Sequence, residues 1–182
     1  MYFFIGLGIV VLIAVWFIGM YNSLVKLRVN TEEGFSTMDV YLQKRYDLIP
    51  NLVEVVKGYA KHESETLEKV IQARNMAVSA TGADERIEAE NSLNGTLKTL
   101  FAVAESYPDL KANTNFLDLQ NQLKIVEQDI ANARKYYNGV VKVYNVKCQT
   151  IPSNIVANLG GFKVKKLYET TEERRENVKI SF

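Results

Sequence analysis

Residues 116–144 read FLDLQNQLKIVEQDIANARKYYNGVVKVY. Apolar side chains recur at Phe116, Leu119, Leu123, Val126, Ile130, Ala133, Tyr137, Val140 and Tyr144, at spacings of three and four without a break. That period is the seam of an α-helix packed along its length on other helices. Asn115 is placed to cap its start, with Asp118 in the first turn. At a rise of ~1.5 Å per residue such a helix is about 45–50 Å long. Gly139 weakens it locally, by about 1 kcal/mol relative to alanine.

A second stripe runs through Phe35, Met38, Leu42, Arg45, Ile49, Leu52, Val56 and Tyr59, with an arginine in its seam. Pro50 lies inside it. Proline removes a backbone bond and crowds the preceding turn, so a kink or a restart is expected, and Asp47 is placed to cap a restarted helix. Two shorter helices follow. One carries Leu67, Val70, Ile71, Arg74 and Ala77 and stops near Thr81–Gly82, where glycine suits a left-handed cap. The next runs from Asp84 through Ile87, Asn91, Leu93, Leu97, Leu100, Phe101 and Ala104 to Tyr107–Pro108–Asp109. The helical pattern ends at Ile151–Pro152, and Ser153–Leu159 reads as a short amphipathic turn closed by Gly160–Gly161. No turn dipeptide joins two alternating runs, so strands are not expected. The fold class is all-α: an N-terminal transmembrane helix followed by an antiparallel bundle of about four helices with long coiled-coil-like packing.

The membrane segment is read from the other end of the chain. Met1–Val25 contains no charged side chain, and the first charge is Lys26. A helix from Tyr2 to Tyr21 spans ~30 Å, the hydrocarbon thickness of a bilayer. Tyr2 and Tyr21 stand where amphipathic rings prefer the headgroups; Trp16 lies deeper and calls for tilt or a partner. A cleaved signal peptide fits less well, because there is no basic n-region, the apolar run is too long and no A-x-A site follows. Expected boundaries are therefore 1–25 anchor, 26–162 helical bundle and 163–182 charged tail, loosely held. Lys26 and Arg28 flank the anchor on one side, which puts the short N-terminus outside and the body in the cytoplasm, at the bacterial inner membrane. The lone Cys148 fits a reducing compartment, and equally a periplasmic protein without disulfides.

Composition excludes several classes of function. With 22 basic and 21 acidic residues the chain is nearly neutral, and no nucleic-acid partner is expected. The single histidine, His62, has Thr66 where a zincin needs its second histidine, and no E-x-x-H pair exists for a di-iron bundle. Cys148 has no C-x-x-C partner and reads as a small buried apolar residue. Phosphate-binding and nucleophile-elbow glycine motifs are missing. No enzyme, metal or cofactor is expected.

Three features stand out of the apolar pattern. Arg45 must snorkel outward or meet a carboxylate, with Asp47, Glu54, Asp118 and Glu127 as candidates. The run YYNGVVKVYNV, Tyr136–Val146, is apolar on nearly every face. One seam buries Tyr137, Val140 and Tyr144, which leaves Tyr136, Val141 and Val143 in need of cover from the tail, a helix or a second copy. Lys163, Lys165 and Lys166 read as a solvated charged tail, with anionic lipid as the alternative contact.

Together these residues resemble the LemA family of bacterial membrane-anchored proteins. The likeness is carried by DVYLQKRYDLIPNLVEVVKGYAKHESETLEKVIQAR (39–74) and LFAVAESYPDLKAN (100–113), then by Phe116, Leu119, Glu127, Ala133–Arg134, Tyr137–Asn138, Val141, Tyr144–Asn145, Pro152 and Gly161–Phe162. It departs at Tyr46 and at Leu167–Tyr168. The resemblance implies an N-terminal membrane helix and a cytoplasmic helical bundle, and it brings no catalytic residues to carry over. Asp47, Leu48, Ile49, Pro50, Asn51 and Leu52, and likewise Tyr107, Pro108, Asp109 and Leu110, match its hallmarks. The first set reads as a kink and the second as a tight helix–helix turn. The expected function is a non-enzymatic membrane-anchored scaffold that self-associates or docks partners at the cytoplasmic face. The alternative is a monomeric adaptor for a membrane signalling, proteolysis or transport partner. Expected partners are the lipid bilayer, further copies of the chain and an unidentified membrane protein.

Overall fold

The computed structural model describes residues 2–81 and 83–168, without the side chains of 83 and 84. Six helices are described: α1 (Tyr2–Tyr59), α2 (Ser64–Ser79), α3 (Ala83–Ala104), α4 (Pro108–Lys111), α5 (Thr114–Gln149) and α6 (Ser153–Leu159). No strand occurs among the described residues, and the all-α fold class holds. The chain forms two compact units, one of Asp39–Asn132 with Tyr168, the other of residues 2–38 with Ala133–Leu167.

In the Asp39–Asn132 unit, the expected stripe of α1 is the core. Leu42, Ile49, Leu52 and Val56 are fully buried, and Tyr46, Val53 and Ala60 extend the buried face. Against them lie Leu67, Val70, Ala73 and Ala77 of α2, Ala89, Leu93, Leu97, Leu100 and Ala104 of α3, and Phe116, Leu123, Val126 and Ile130 of α5. Each large aliphatic side chain so buried contributes about 1.5–3 kcal/mol. Arg74 of α2 reaches Tyr46 across the short α1–α2 turn, so these helices are antiparallel. Asn113 pairs with Tyr59 and Glu127 with Arg45, so α5 also runs against α1.

Two local expectations change here. Helix α1 does not restart at Pro50; it runs through the proline, and Asp47 accepts a hydrogen bond from Gln43 Nε2 (2.9 Å) inside the helix instead of capping a new one. The cap of α5 is Asn113, not Asn115: its Oδ1 accepts the Phe116 N–H (3.0 Å). Asn113 does this because its amide also reaches the Tyr59 hydroxyl (2.9 Å), which anchors it at the end of α1. α2 ends at Ser79, and the cap foreseen at Gly82 lies outside the described residues.

In the unit of residues 2–38 and Ala133–Leu167, Leu24 of α1, Tyr144 and Cys148 of α5, Val156 and Ala157 of α6, and Phe162 form a buried cluster. Phe17, Met20, Val25 and Leu27 pack around it. Gly34 lets the two long helices approach closely, since a Cβ there would stand 3.4 Å from both Tyr136 and Val140. Phe35 meets the Tyr137 ring edge-on at 5.8 Å. Gly161 ends the α6 region at φ +69°, a conformation that costs other residues about 1–2 kcal/mol.

The tail expected to be loose from Lys163 onward is instead held over residues 163–166. Tyr144 Oη donates to the Lys163 carbonyl (2.9 Å) and Tyr137 Oη to that of Lys166 (3.2 Å). Asn145 brackets Lys165, its amide donating to the carbonyl (2.7 Å) and its oxygen accepting the N–H (2.8 Å). The Lys165 ammonium then donates to buried Thr31 (2.8 Å), so it is directed at α1 rather than at solvent. The physical reason is that Tyr137, Tyr144 and Asn145 line one face of α5 with donors that need acceptors, and an extended strand of backbone supplies them. Residues 169–182 lie outside the described residues.

Candidate functional site

The one buried guanidinium among the described residues gathers most of the polar chemistry of the Asp39–Asn132 unit. Arg45, 1% exposed, sits on the core face of α1 because its position continues the apolar stripe. Its Nη1 donates to Asn94 Oδ1 (2.9 Å) and Glu127 Oε1 (2.8 Å), and Nη2 pairs with Glu90 Oε2. The other oxygen of Glu90 accepts the Tyr46 hydroxyl. Burial raises the Tyr46 phenol above its usual range, although Arg45 pulls the other way, so it stays a proton donor at neutral pH. Arg45 thus ties α1 to α3 and α5 at one level.

Of the four carboxylates expected to meet Arg45, Glu127 does. Asp47 bonds to Gln43, Glu54 pairs with Lys57, and Asp118 accepts from Gln122. Glu90 was missed. Its signal is register: it stands three residues before Leu93 and four before Asn94, on the inner side of a helix whose seam is otherwise Ala and Leu.

Pro50 has a specific counterpart. Without an N–H, it leaves the Tyr46 carbonyl one turn back without its helical donor. Arg74 Nε fills that role at 3.2 Å. Asn51 is exposed beside the proline. At the other hallmark, Tyr107 is the extended residue before α4, and Pro108 opens that helix at a position where a missing N–H costs nothing. The Tyr107 hydroxyl donates to Glu63 Oε1 (3.2 Å), Leu110 is buried, and Asp109 is an exposed first-turn acid. Both motifs are joints between helices. His62 is exposed in the α1–α2 turn.

The Tyr136–Val146 run divides differently from expectation. Val141 is fully buried, and the seam passes through Tyr137, Val141, Tyr144 and Cys148, while Val140 is half-buried against Gly34. Asn138 is half-buried. Burial, and a hydrogen bond with Cys148, push the Tyr144 phenol up to about 12. Three large apolar side chains of this run stay about half exposed: Tyr136 (52%), whose ring edge still lies over Gly34, Val143 (55%) and Val146 (51%). They share one side of α5, and the neighbouring Gly139 has open space where a Cβ would be.

The first turns of α1 make no such contacts. α1 is, among the described residues, the one helix long and apolar enough to cross a membrane, and none of its apolar window is buried.

Comparison with known proteins identifies relatives of this chain. The chain is 25% identical over its full length to protein LemA of Metamycoplasma hominis, covering 82% of that relative. It is 24% identical to magnetosome protein MamQ 2 of Paramagnetospirillum magneticum, over 82% of this chain and 64% of the relative. The figures for magnetosome protein MamQ of Magnetospirillum gryphiswaldense are 23%, 79% and 62%. The chain therefore spans less than two thirds of the length of these MamQ relatives. The family model described as the LemA family matches residues 34–182, which takes in the Arg45 network, both proline joints and the α5 seam, and the chain belongs to that family.

Proposed function

We propose that this chain is a non-enzymatic scaffold, held in the bacterial inner membrane by the start of α1 and self-associating through α5, with its body in the cytoplasm. The observation that carries the reading is the half-exposed apolar stripe of Tyr136, Val143 and Val146 beside Gly139. Large apolar side chains at helical spacing that the fold leaves in water favour a second helix laid along them, and a glycine in their midst permits close approach. The polar groups that could do chemistry are instead engaged with one another: both oxygens of Glu90 and the Nη1 of Arg45 hold helices together.

The test is the size of the full-length protein in a mild detergent, measured by light scattering across a concentration series. The expected result is a multimer that dissociates when Val143→Glu and Val146→Glu are introduced. A strictly monomeric particle at every concentration would falsify the self-association. Crosslinks in cells to other proteins only, without a ladder of multiples, would then mark the chain as an adaptor.

A further inference from the structure

The region around α6 has two faces of opposite character. Ser153, Val156 and Ala157 are buried, with Val156 and Ala157 in the cluster that includes Leu24 and Phe162. On the outer side Ile151 is 84% exposed, Ile155 56% and Leu159 73%. Ile155 and Leu159 are one turn apart on the helix, whereas Ile151 lies in the turn before it, outside its register. Two large aliphatic side chains thus form an outward ridge that the described residues leave largely open.

The location of that ridge identifies its occupant. Phe162 packs edge-on against Tyr21 at 5.4 Å, and its ring also lies under the Arg28 guanidinium at 5.3 Å. Phe17 and Met20 pack on the same cluster. Counting about 1.5 Å per residue from Tyr2, residues 17–21 are where α1 has traversed roughly 22–28 Å and nears the far edge of the ~30 Å hydrocarbon core. Tyr21 is the kind of residue that settles among headgroups. Gly160 permits the tight seating, because a Cβ there would come within 2.6 Å of the Phe162 ring and 3.1 Å of that of Tyr21. α6 is therefore fixed beside α1 at the level where α1 leaves the hydrocarbon, with its ridge turned outward and exposed Lys163 four residues beyond Leu159.

We propose that Ile155 and Leu159 lie in the boundary between lipid headgroups and acyl chains, forming a second membrane contact next to the anchor. Seven residues of amphipathic helix bind a bilayer weakly by themselves. Here the contact is intramolecular to a tethered chain, so the effective concentration of lipid is high and only the fit matters. Lys163 adds a cation at the depth where anionic headgroups lie. The inference rests on α1 spanning the bilayer, and it is independent of self-association through α5.

The single native tryptophan, Trp16, lies in the apolar part of α1 and makes the two readings separable. The full-length protein is reconstituted at high lipid excess into phosphatidylcholine–phosphatidylglycerol vesicles whose acyl chains are brominated either near the headgroup or near the bilayer centre. In the native chain Trp16 fluorescence reports the anchor. Leu159→Trp and, separately, Ile155→Trp, each in a Trp16→Phe background, report the ridge. The expected result is Trp16 quenching in the native chain, together with blue-shifted emission of both ridge tryptophans, stronger quenching of them by the shallow bromines and protection from aqueous iodide. Ridge tryptophans with water-like emission and free iodide quenching, while Trp16 remains lipid-quenched, overturn the inference and leave the anchor intact. Ridge tryptophans shielded from iodide yet unquenched by lipid mark a protein cover, and overturn it too. A native Trp16 that brominated lipid does not quench removes the anchor and this contact with it.

Discussion

Arg45 is the residue on which most of the Asp39–Asn132 unit's polar order depends. Removing one partner of a buried ion pair leaves an uncompensated charge, so Arg45→Ala is expected to cost about 3–5 kcal/mol, read as a lowered melting transition of the full chain in detergent. Replacing the pair together, with Arg45→Met and Glu90→Leu, should recover part of that loss, because it removes both buried charges while leaving the Tyr46 hydroxyl and Asn94 without their partners. Buried tyrosines give the molecule an alkaline limit. Tyr144 keeps its proton up to about 12 in the folded state, whereas an unfolded tyrosine releases it near ~10. Between those values the unfolded chain binds fewer protons, so this contribution is complete below pH ~10 and falls away as pH rises toward 12. Burial shifts Tyr46 and Tyr137 in the same direction. Melting temperatures taken from pH 9 to 12 should decline, and Tyr144→Phe should make the decline shallower even though it also removes the bond to Lys163.

Among the elements, α1 shows how a long helix keeps a proline. The carbonyl that Pro50 leaves unserved is supplied from another helix by Arg74. In the native chain, Arg74→Ala should cost about 1–3 kcal/mol by stranding the Tyr46 carbonyl. In a Pro50→Ala background the alanine N–H takes over as donor, and the same Arg74→Ala change should cost less. A double-mutant cycle in thermal or denaturant unfolding measures that difference, and equal costs in the two backgrounds would exclude the compensation. The α5 seam carries a similar lesson about near-equivalent choices. Val140 and Val141 are adjacent and chemically identical, and either continues a spacing of three and four from Tyr137 to Tyr144. Val141 became the core residue, because Val140 lies toward the close approach at Gly34.

For the molecule as a whole, the charge-free start of α1 sets where everything else can be. Sodium carbonate washing of membranes should leave the full chain in the lipid fraction, while a chain lacking residues 2–20 should be released. Recovery of the full chain in the wash would defeat the anchor reading and the proposals built on it. The two proposed contacts belong to different elements, the ridge of Ile155 and Leu159 on α6 meeting lipid and the stripe of Tyr136, Val143 and Val146 on α5 meeting a second copy. Variants of one should leave the readout of the other unchanged.

Periodicity in the chain determined the helices, the apolar rod and the seams, because spacing of three and four is a local property that hydrophobic burial enforces wherever the helix finds a partner. The same pattern marked Arg45 and Pro50 as exceptions needing an answer, and it narrowed the acids to a group that included Glu127. Which groups answered them was decided only in three dimensions. Glu90, Asn94 and Arg74 lie far from their partners along the chain, and nothing in a local pattern reports which helix faces converge. The cap at Asn113 and the backbone of residues 163–166 held by Tyr137, Tyr144 and Asn145 have the same origin: a polar group chooses the partner that packing brings within about 3 Å, and packing is settled by the whole fold.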